Sequence, residues 1–420
     1  MNRSIRIMHF ADTHFGIETY GKNDVTGINS RLQDFKNSLE WAVKSAMEEG
    51  IDIAIFAGDA YKNRDPKQTE QREFANCIAK LTEADIPVVM VMGELDMPVL
   101  SGRASSIDIF ETLHVSGVHI FTKPGLKIIE TQNGPIQIAA IPYQYKSRIV
   151  DTDNKIDDST LDMKQLLEAE YAGIIERIKS ELFAHPTAPT VLAAHFWAQG
   201  TALSQWQESY LNEELEPQIN LNDLTDETWD YVALGHIHTF QNLNPGKSPP
   251  VIYSGSPYAM DFGETGEKKG FVIANVQKGS ADYKFIPIGV NRQFVDIAVN
   301  VMGDDPTQEV VRAVQQHKIK GHIVRLTVHL NKADQVFLND KAIREALSSS
   351  FHFTLIMKTN KDKRTAPVTV SDGFSPAKSL SSYIDSQEGL KSRKERLMEA
   401  AERLISELSE TEEANISWSL

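Results

Sequence analysis

Along the first two-thirds of the chain, apolar residues come in short unbroken runs. IRIMHF (5–10), IDIAIFAG (51–58), IPVVMVMG (86–93), IQIAAIP (136–142), TVLAAH (190–195) and DYVALGH (230–236) are each bounded by polar or turn-forming residues. Runs of this length and β-branched content predict strands. Because odd and even positions alike are apolar, they predict strands covered on both faces, as inside an α/β sandwich. Between them the period changes. In SRLQDFKNSLEWAVKSAMEEG (30–50), Leu32, Phe35, Leu39, Ala42, Val43 and Ala46 recur at helical spacing, and Gly50 is placed to end the helix. Residues 69–85 and 160–185 carry the same period, and their polar faces read as solvated surface.

The texture changes near residue 290. VIYSGSP, GFVIANV and ADYKFIPI suit a meander closing a first domain. Beyond it, strand-like 292–301, helical 306–318, strand-like 322–330, helical 339–350 and strand-like 351–359 predict a small βαβαβ domain. A loop rich in Lys, Thr, Pro and Ser (360–379) leads to a last helical stretch, 389–410. There Leu390, Leu397, Ala400, Leu404, Ile405 and Leu408 form an apolar stripe, which suits packing back on the chain or docking on a partner. No internal repeat is evident.

Size and charge narrow the picture. A chain of 420 residues suggests two or three domains. Its single cysteine, Cys77, rules out an internal disulfide and points to a reducing, cytoplasmic compartment. The beginning of the sequence has no long apolar segment, and no stretch reaches the roughly 20 apolar residues of a membrane span. The formal net charge of −15 argues against general polyanion binding unless metals, a local basic surface or a partner supply positive charge.

The predicted strand ends carry the chemistry. Asp12 and His14 follow the first strand, Asp59 the second, Glu94 and Asp96 the third; His195 ends a later strand, and His236 and His238 follow another. Side chains gathered from the carboxyl ends of several strands converge on one crevice in an open sheet. Mixed carboxylate and imidazole donors suit Mn²⁺, Fe²⁺ or Zn²⁺. Their number exceeds the needs of one ion. Two ions, roughly 3.5–4 Å apart and sharing a carboxylate, would use them all and clamp a phosphate. Singly, a D-x-H, a GD or an H-x-H is weak; the series at successive strand ends is specific. His114, His119, His185 and His352 lack that setting and read as structural or surface groups.

The series Asp12-x-His14, Gly58-Asp59, Gly93-x-x-Asp96, His195 and Gly235-His236-x-His238 resembles the calcineurin-like metallophosphoesterases over roughly residues 1–288. HFADTHFG, RLQDF, AGDAYKNRDP and especially YSGSPYAMDFGE (253–264) are similar to the SbcD-type nucleases of DNA double-strand-break repair and recombination. The resemblance implies a metallophosphoesterase β-sandwich flanked by helices (1–288), a smaller α/β capping domain (289–360), and a linker with a C-terminal helical segment (361–420) binding an SbcC-like coiled-coil ATPase. It implies a homodimer that cuts DNA phosphodiesters, as exonuclease and endonuclease, with two divalent ions, Mn²⁺ being the expected identity. It assigns Asp12, His14, Asp59 and His238 to one ion, and Asp59, Glu94, His195 and His236 to the other. Asp96 and His14 are the further candidates for a catalytic role.

One motif departs from the family's pattern. Where the family has Gly-Asn-His-Asp, this chain has Gly93-Glu94-Leu95-Asp96, so Leu95 stands at the position of the catalytic histidine. Glu94 keeps an oxygen for a metal and adds a charge that repels phosphate. Leu95 neither donates nor accepts a proton, which removes a contribution of about 10²- to 10⁴-fold. The reading is therefore a nuclease subunit of reduced or lost activity. A catalytically impaired subunit that holds DNA ends, or a small-molecule phosphodiesterase, are the alternatives. His9 and His119 are the histidines in the chain that could stand in for the missing imidazole.

Overall fold

The structure is a computed structural model. It describes residues 4–98, 103–144, 160–182, 188–209, 211, 216–303, 305–331, 334–360, 380–381, 384 and 394–403. The chain divides into two compact units, Met1–Lys358 and Thr359–Leu420.

The first unit is built on two six-stranded sheets. One runs, in spatial order, Ser280–Pro287, Gly270–Gln277, Ile5–Phe10, Ile53–Phe56, Val88–Val91, Val118–Phe121. Its last four strands are parallel, so their carboxyl ends lie on one edge. The other runs Gln241–Asn242, Val251–Tyr253, Tyr231–Gly235, Thr190–His195, Gly134–Ile141, Gly125–Thr131. Here too the neighbours Tyr231–Gly235, Thr190–His195 and Gly134–Ile141 are parallel.

Alternation along each strand sorts the apolar side chains between two cores. From the first sheet Ile7, Ile53, Ile55, Val89 and Val91 meet Ile136, Ile138, Val191 and Ala233 of the second, forming the layer between the sheets. Met8, Phe10, Ala54, Phe56, Val88 and Met90 face the other way, onto Phe35, Leu39, Phe74 and Ile78 of the helices Ser30–Glu48 and Gln68–Thr82. On the outer face of the second sheet, Leu192, Ala194, Val232 and Leu234 pack on Tyr171, Ile175 and Ile178 of the helix Thr160–Glu181. This is why the central strands read as apolar runs: both of their faces are covered. The expected α/β sandwich flanked by helices is the observed one.

The helix Ser30–Glu48 begins where Asn29 Oδ1 accepts from the Arg31 amide, and it stops before Gly50, whose φ of +70° suits a residue without Cβ. Farther along the same unit, a three-stranded sheet of Phe294–Asn300, Ile323–Asn331 and His352–Asn360 packs on the helices Pro306–Gln315 and Asp340–Leu347. Its core is Ile297, Val310, Val314, Leu326, Val328, Ile343 and Leu347. In the second unit, residues 394–403 are helical and Leu397 is 38% exposed. Leu390, Leu404, Ile405 and Leu408 of the apolar stripe lie outside the described residues, as does His185.

Candidate metal centre

Where the parallel strands end, the backbone takes conformations that ordinary side chains avoid. Asp12, His14, Asp59 and His236 have φ of 54°, 39°, 62° and 93°. Positive φ in non-glycine residues costs free energy and persists only where surrounding structure holds it. Here cross-links between strand ends do so: the Asp12 amide donates to Gly58 O (2.9 Å), the His14 amide to Asp59 O (3.1 Å), and the His236 amide to both carboxylate oxygens of Asp12 (3.0 and 3.1 Å). Two glycines are required by the crowding. A Cβ at Gly58 would strike the His195 ring, and one at Gly93 the carboxylate and amide of Asp59.

Six of the predicted ligands converge. Asp12, His14 and His238 each present a donor atom within 4.8 Å of the others, and Asp12, Asp59 and His195 do the same. Asp12 is common to both groups. Asp59 stands between two imidazoles, with His14 Nε2 3.8 Å and His195 Nε2 3.7 Å from its two oxygens. His236 joins through its ring, 5.2 Å centroid to centroid from that of His195. All six are buried.

The protonation pattern fits a cation. His195 Nδ1 donates to Ala57 O at 2.7 Å, so its Nε2 carries a lone pair; among the described residues that atom is buried without a hydrogen-bond partner, as is Nε2 of His236. His238 Nδ1 donates to Glu264 Oε1 at 2.8 Å, which turns its own Nε2 lone pair toward His14 Nε2, 3.0 Å away. Buried lone pairs facing one another are costly until something positive lies between them. Burial also strains the charges. It pushes the Asp12 carboxyl up to about 7 and the Asp59 carboxyl well above the usual range, and it brings His195 down to about 4. Divalent ions relieve each of these at once.

The remaining candidates lie differently. Asp96 is fully buried and used by the backbone: its oxygens accept from the amides of Asp59 (2.8 Å), Ala60 (2.9 Å) and Gly93 (2.9 Å). It braces the Asp59 turn. Glu94 and Leu95 line a cleft of about 430 Å³ together with His14, Asp59, His236 and Lys62. Glu94 Oε1 lies 3.8 Å from an Arg64 guanidinium nitrogen, and burial beside Glu216 raises its carboxyl above the usual range. The Leu95 amide donates to Asp59 Oδ1 at 2.8 Å, so the backbone of this position serves the centre although its side chain is inert.

Neither substitute histidine faces the cleft. His9 sits between the sheets, bonded to Tyr231 Oη (3.0 Å) and Leu234 O (3.1 Å). His119 is half-buried on the strand Val118–Phe121, and His352 packs on Tyr20.

Four supporting residues carried no sequence signal of their own. Glu264 receives His238 Nδ1 and is held by the Lys269 ammonium (3.0 Å) and the Met260 amide (2.8 Å). Buried Gln207 donates to His236 O (2.9 Å) and accepts from the His238 amide (3.1 Å), clasping the GHIH turn. Tyr143 and Glu216 flank the second pair of imidazoles. Only Glu264 lay within a stretch, YSGSPYAMDFGE, that the sequence marked.

The family described as calcineurin-like phosphoesterase matches residues 5–240. The chain is 23% identical to the DNA double-strand break repair protein Mre11 of Thermoplasma acidophilum, over 79% of each chain. It is 26% identical to the SbcD component of the nuclease SbcCD of Bacillus subtilis, over 66% of this chain and 67% of that protein. It is 24% identical to the same component from Staphylococcus saprophyticus, over 73% of this chain and 74% of that protein. With its two sheets, its converging strand ends and its paired ligand groups, the chain belongs to the calcineurin-like phosphoesterase family and is similar over most of its length to Mre11- and SbcD-type proteins.

Proposed function

We propose that the chain is the nuclease subunit of an SbcCD-type DNA repair complex, hydrolysing DNA phosphodiester bonds with two divalent metal ions, Mn²⁺ first among them. The observation that carries this is the convergence of Asp12, His14, Asp59, His195, His236 and His238, with Nε2 of His195 and of His236 buried without a hydrogen-bond partner among the described residues and Nε2 of His14 and His238 3.0 Å apart. In this reading residues 1–288 form the nuclease domain, 289–360 cap it, and 361–420 engage a coiled-coil ATPase, the whole acting as a cytoplasmic homodimer.

Bound ions supply Lewis acidity toward a phosphoryl oxygen and a hydroxide at neutral pH. The protein's part is placement. Asp12 and Asp59 present buried carboxyl groups that a bound cation would keep ionised, His238 is fixed in one tautomer by Glu264, and Lys62 lines the cleft with positive charge. Proton transfer to the leaving oxygen has no side chain at Leu95 to perform it. Neither histidine that could replace it lines the cleft: His9 is bonded between the sheets and His119 lies on the strand Val118–Phe121. A reduced rate follows, or a subunit that binds DNA ends without cutting them.

A Mn²⁺-titrated assay on linear and single-stranded DNA tests the reading. Cleavage that is lost in Asp59→Ala supports it. Cleavage that appears only in the double substitution Glu94→Asn with Leu95→His assigns an architectural role to the chain as it stands. No cleavage in either, with DNA binding absent, overturns the nuclease reading.

A further inference from the structure

Three imidazole–carboxylate gaps in the centre fall in one narrow class. His195 Nε2 to Asp59 is 3.7 Å, His14 Nε2 to Asp59 is 3.8 Å, and His236 Nε2 to Glu216 Oε1 is 4.0 Å. Each is too long for a hydrogen bond and short enough for both atoms to reach one ion about 2.1 Å from each. The contrast with His238 and Glu264, whose 2.8 Å contact is a direct hydrogen bond on the outward nitrogen, is clear. Glu216 therefore stands to His236 as Asp59 stands to His14 and His195.

Two further observations bear on Glu216. Among the described residues His236 Nε2 is buried without a hydrogen-bond partner, and Glu216 is a carboxylate within ion-pair reach of it. The Glu216 carboxylate is also held in place: Tyr143 Oη donates to its Oε1 at 2.7 Å, the Tyr143 ring lies 6.0 Å from that of His236 and 6.3 Å from that of His195, and the Tyr143 amide is tied to Met92 O. Glu94, by contrast, is paired with Arg64, and no imidazole lies within ion-pair reach of it among the described residues.

We propose that Glu216, oriented by Tyr143, is a metal ligand of the His195–His236 ion, supplying the protein oxygen that the motif position Glu94 would otherwise provide. This rests on the two-metal reading above. The site then has three charged or imidazole donors plus a carboxylate from outside the strand-end motifs, contributed by the stretch between His195 and the GHIH turn. A carboxylate there favours a hard divalent ion over a soft one.

Calorimetric titration of the chelated full chain with MnCl₂ tests it, with circular dichroism to follow folding. The expected result is two ions on the unaltered chain and, in Glu216→Gln, one ion bound as before and the other weakened at least about tenfold. Glu216→Asp, shorter by one methylene, falls between, and Tyr143→Phe weakens the same ion by less. Two ions of unchanged affinity in Glu216→Gln overturn the assignment while leaving the two-metal reading intact; fewer than two ions on the unaltered chain overturn both.

Discussion

His238 Nδ1 and Glu264 Oε1 lie 2.8 Å apart, both buried, and the other Glu264 oxygen is taken by Lys269 and the Met260 amide. Burial alone would raise the Glu264 carboxyl, yet Lys269 and His238 bring it down to about 2, so it stays charged. A carboxylate behind a metal-binding imidazole fixes the tautomer and raises its basicity. Glu264→Gln is expected to weaken Mn²⁺ binding by about 10- to 100-fold with the fold intact. Glu264→Ala leaves the buried Lys269 ammonium with only Glu267 Oε2 (2.8 Å) and His238 O (3.0 Å), and strips the His238 and Met260 donors of their acceptor, and is expected to cost about 1–3 kcal/mol as well. Titration calorimetry reads the first and urea unfolding the second; equal Mn²⁺ affinity in Glu264→Gln would refute the orienting role.

Leu95 offers its amide to Asp59 and its side chain to the cleft. Because the backbone contact does not depend on the side chain, Leu95→His keeps the turn and adds a proton-transferring group. With Glu94→Asn removing the extra charge, DNA cleavage at saturating Mn²⁺ is expected to rise by about 10²- to 10⁴-fold. An unchanged rate would mean that proton transfer at position 95 does not limit cleavage.

Asp96 has its two oxygens on three backbone amides. Asn in its place keeps one acceptor and turns an NH₂ group against an N–H donor. Hydrogen bonds to a charged group contribute about 1.5–3 kcal/mol each, so Asp96→Asn is expected to lower stability by about 2–4 kcal/mol even in EDTA. Loss of activity with unaltered metal-free unfolding would instead make Asp96 a participant in the chemistry.

These residues show how far the sequence reaches. Strand identity and the convergence of six side chains were legible because burial on both sheet faces leaves an apolar run, and because each of the six sits where such a run stops. Asp96 carried the same local signal, yet its carboxylate turns inward to amides 36 and 37 positions away, which no spacing reveals. Glu264 and Glu216 act on His238 and His236 only because the chain returns to the cleft after irregular segments. Glu94 stands in the cleft where its place in the motif puts it, and its ion pair with Arg64 depends on how two loops meet.

His9 gives a test of stability that is independent of metal. Leu234 O can only accept, so His9 Nε2 carries the proton and Nδ1 accepts from Tyr231 Oη; the ring is neutral and has no room for a second proton. Burial lowers its pKa from 6.5 to about 3, against the weaker opposing effect of the Leu234 carbonyl. A histidine whose folded pKa is depressed contributes stability that is complete above its unfolded pKa and is lost as pH falls through the folded one. The window is therefore from 6.5 down to about 3. The shift corresponds to a contribution on the order of 5 kcal/mol. Urea unfolding in EDTA across that window is expected to show a falling stability. His9→Gln, which keeps a donor and an acceptor but does not titrate, is expected to reduce proton uptake on unfolding by one. The same slope in both proteins would show that acid instability comes from the other buried imidazoles, His14, His195 and His236, and not from the histidine between the sheets.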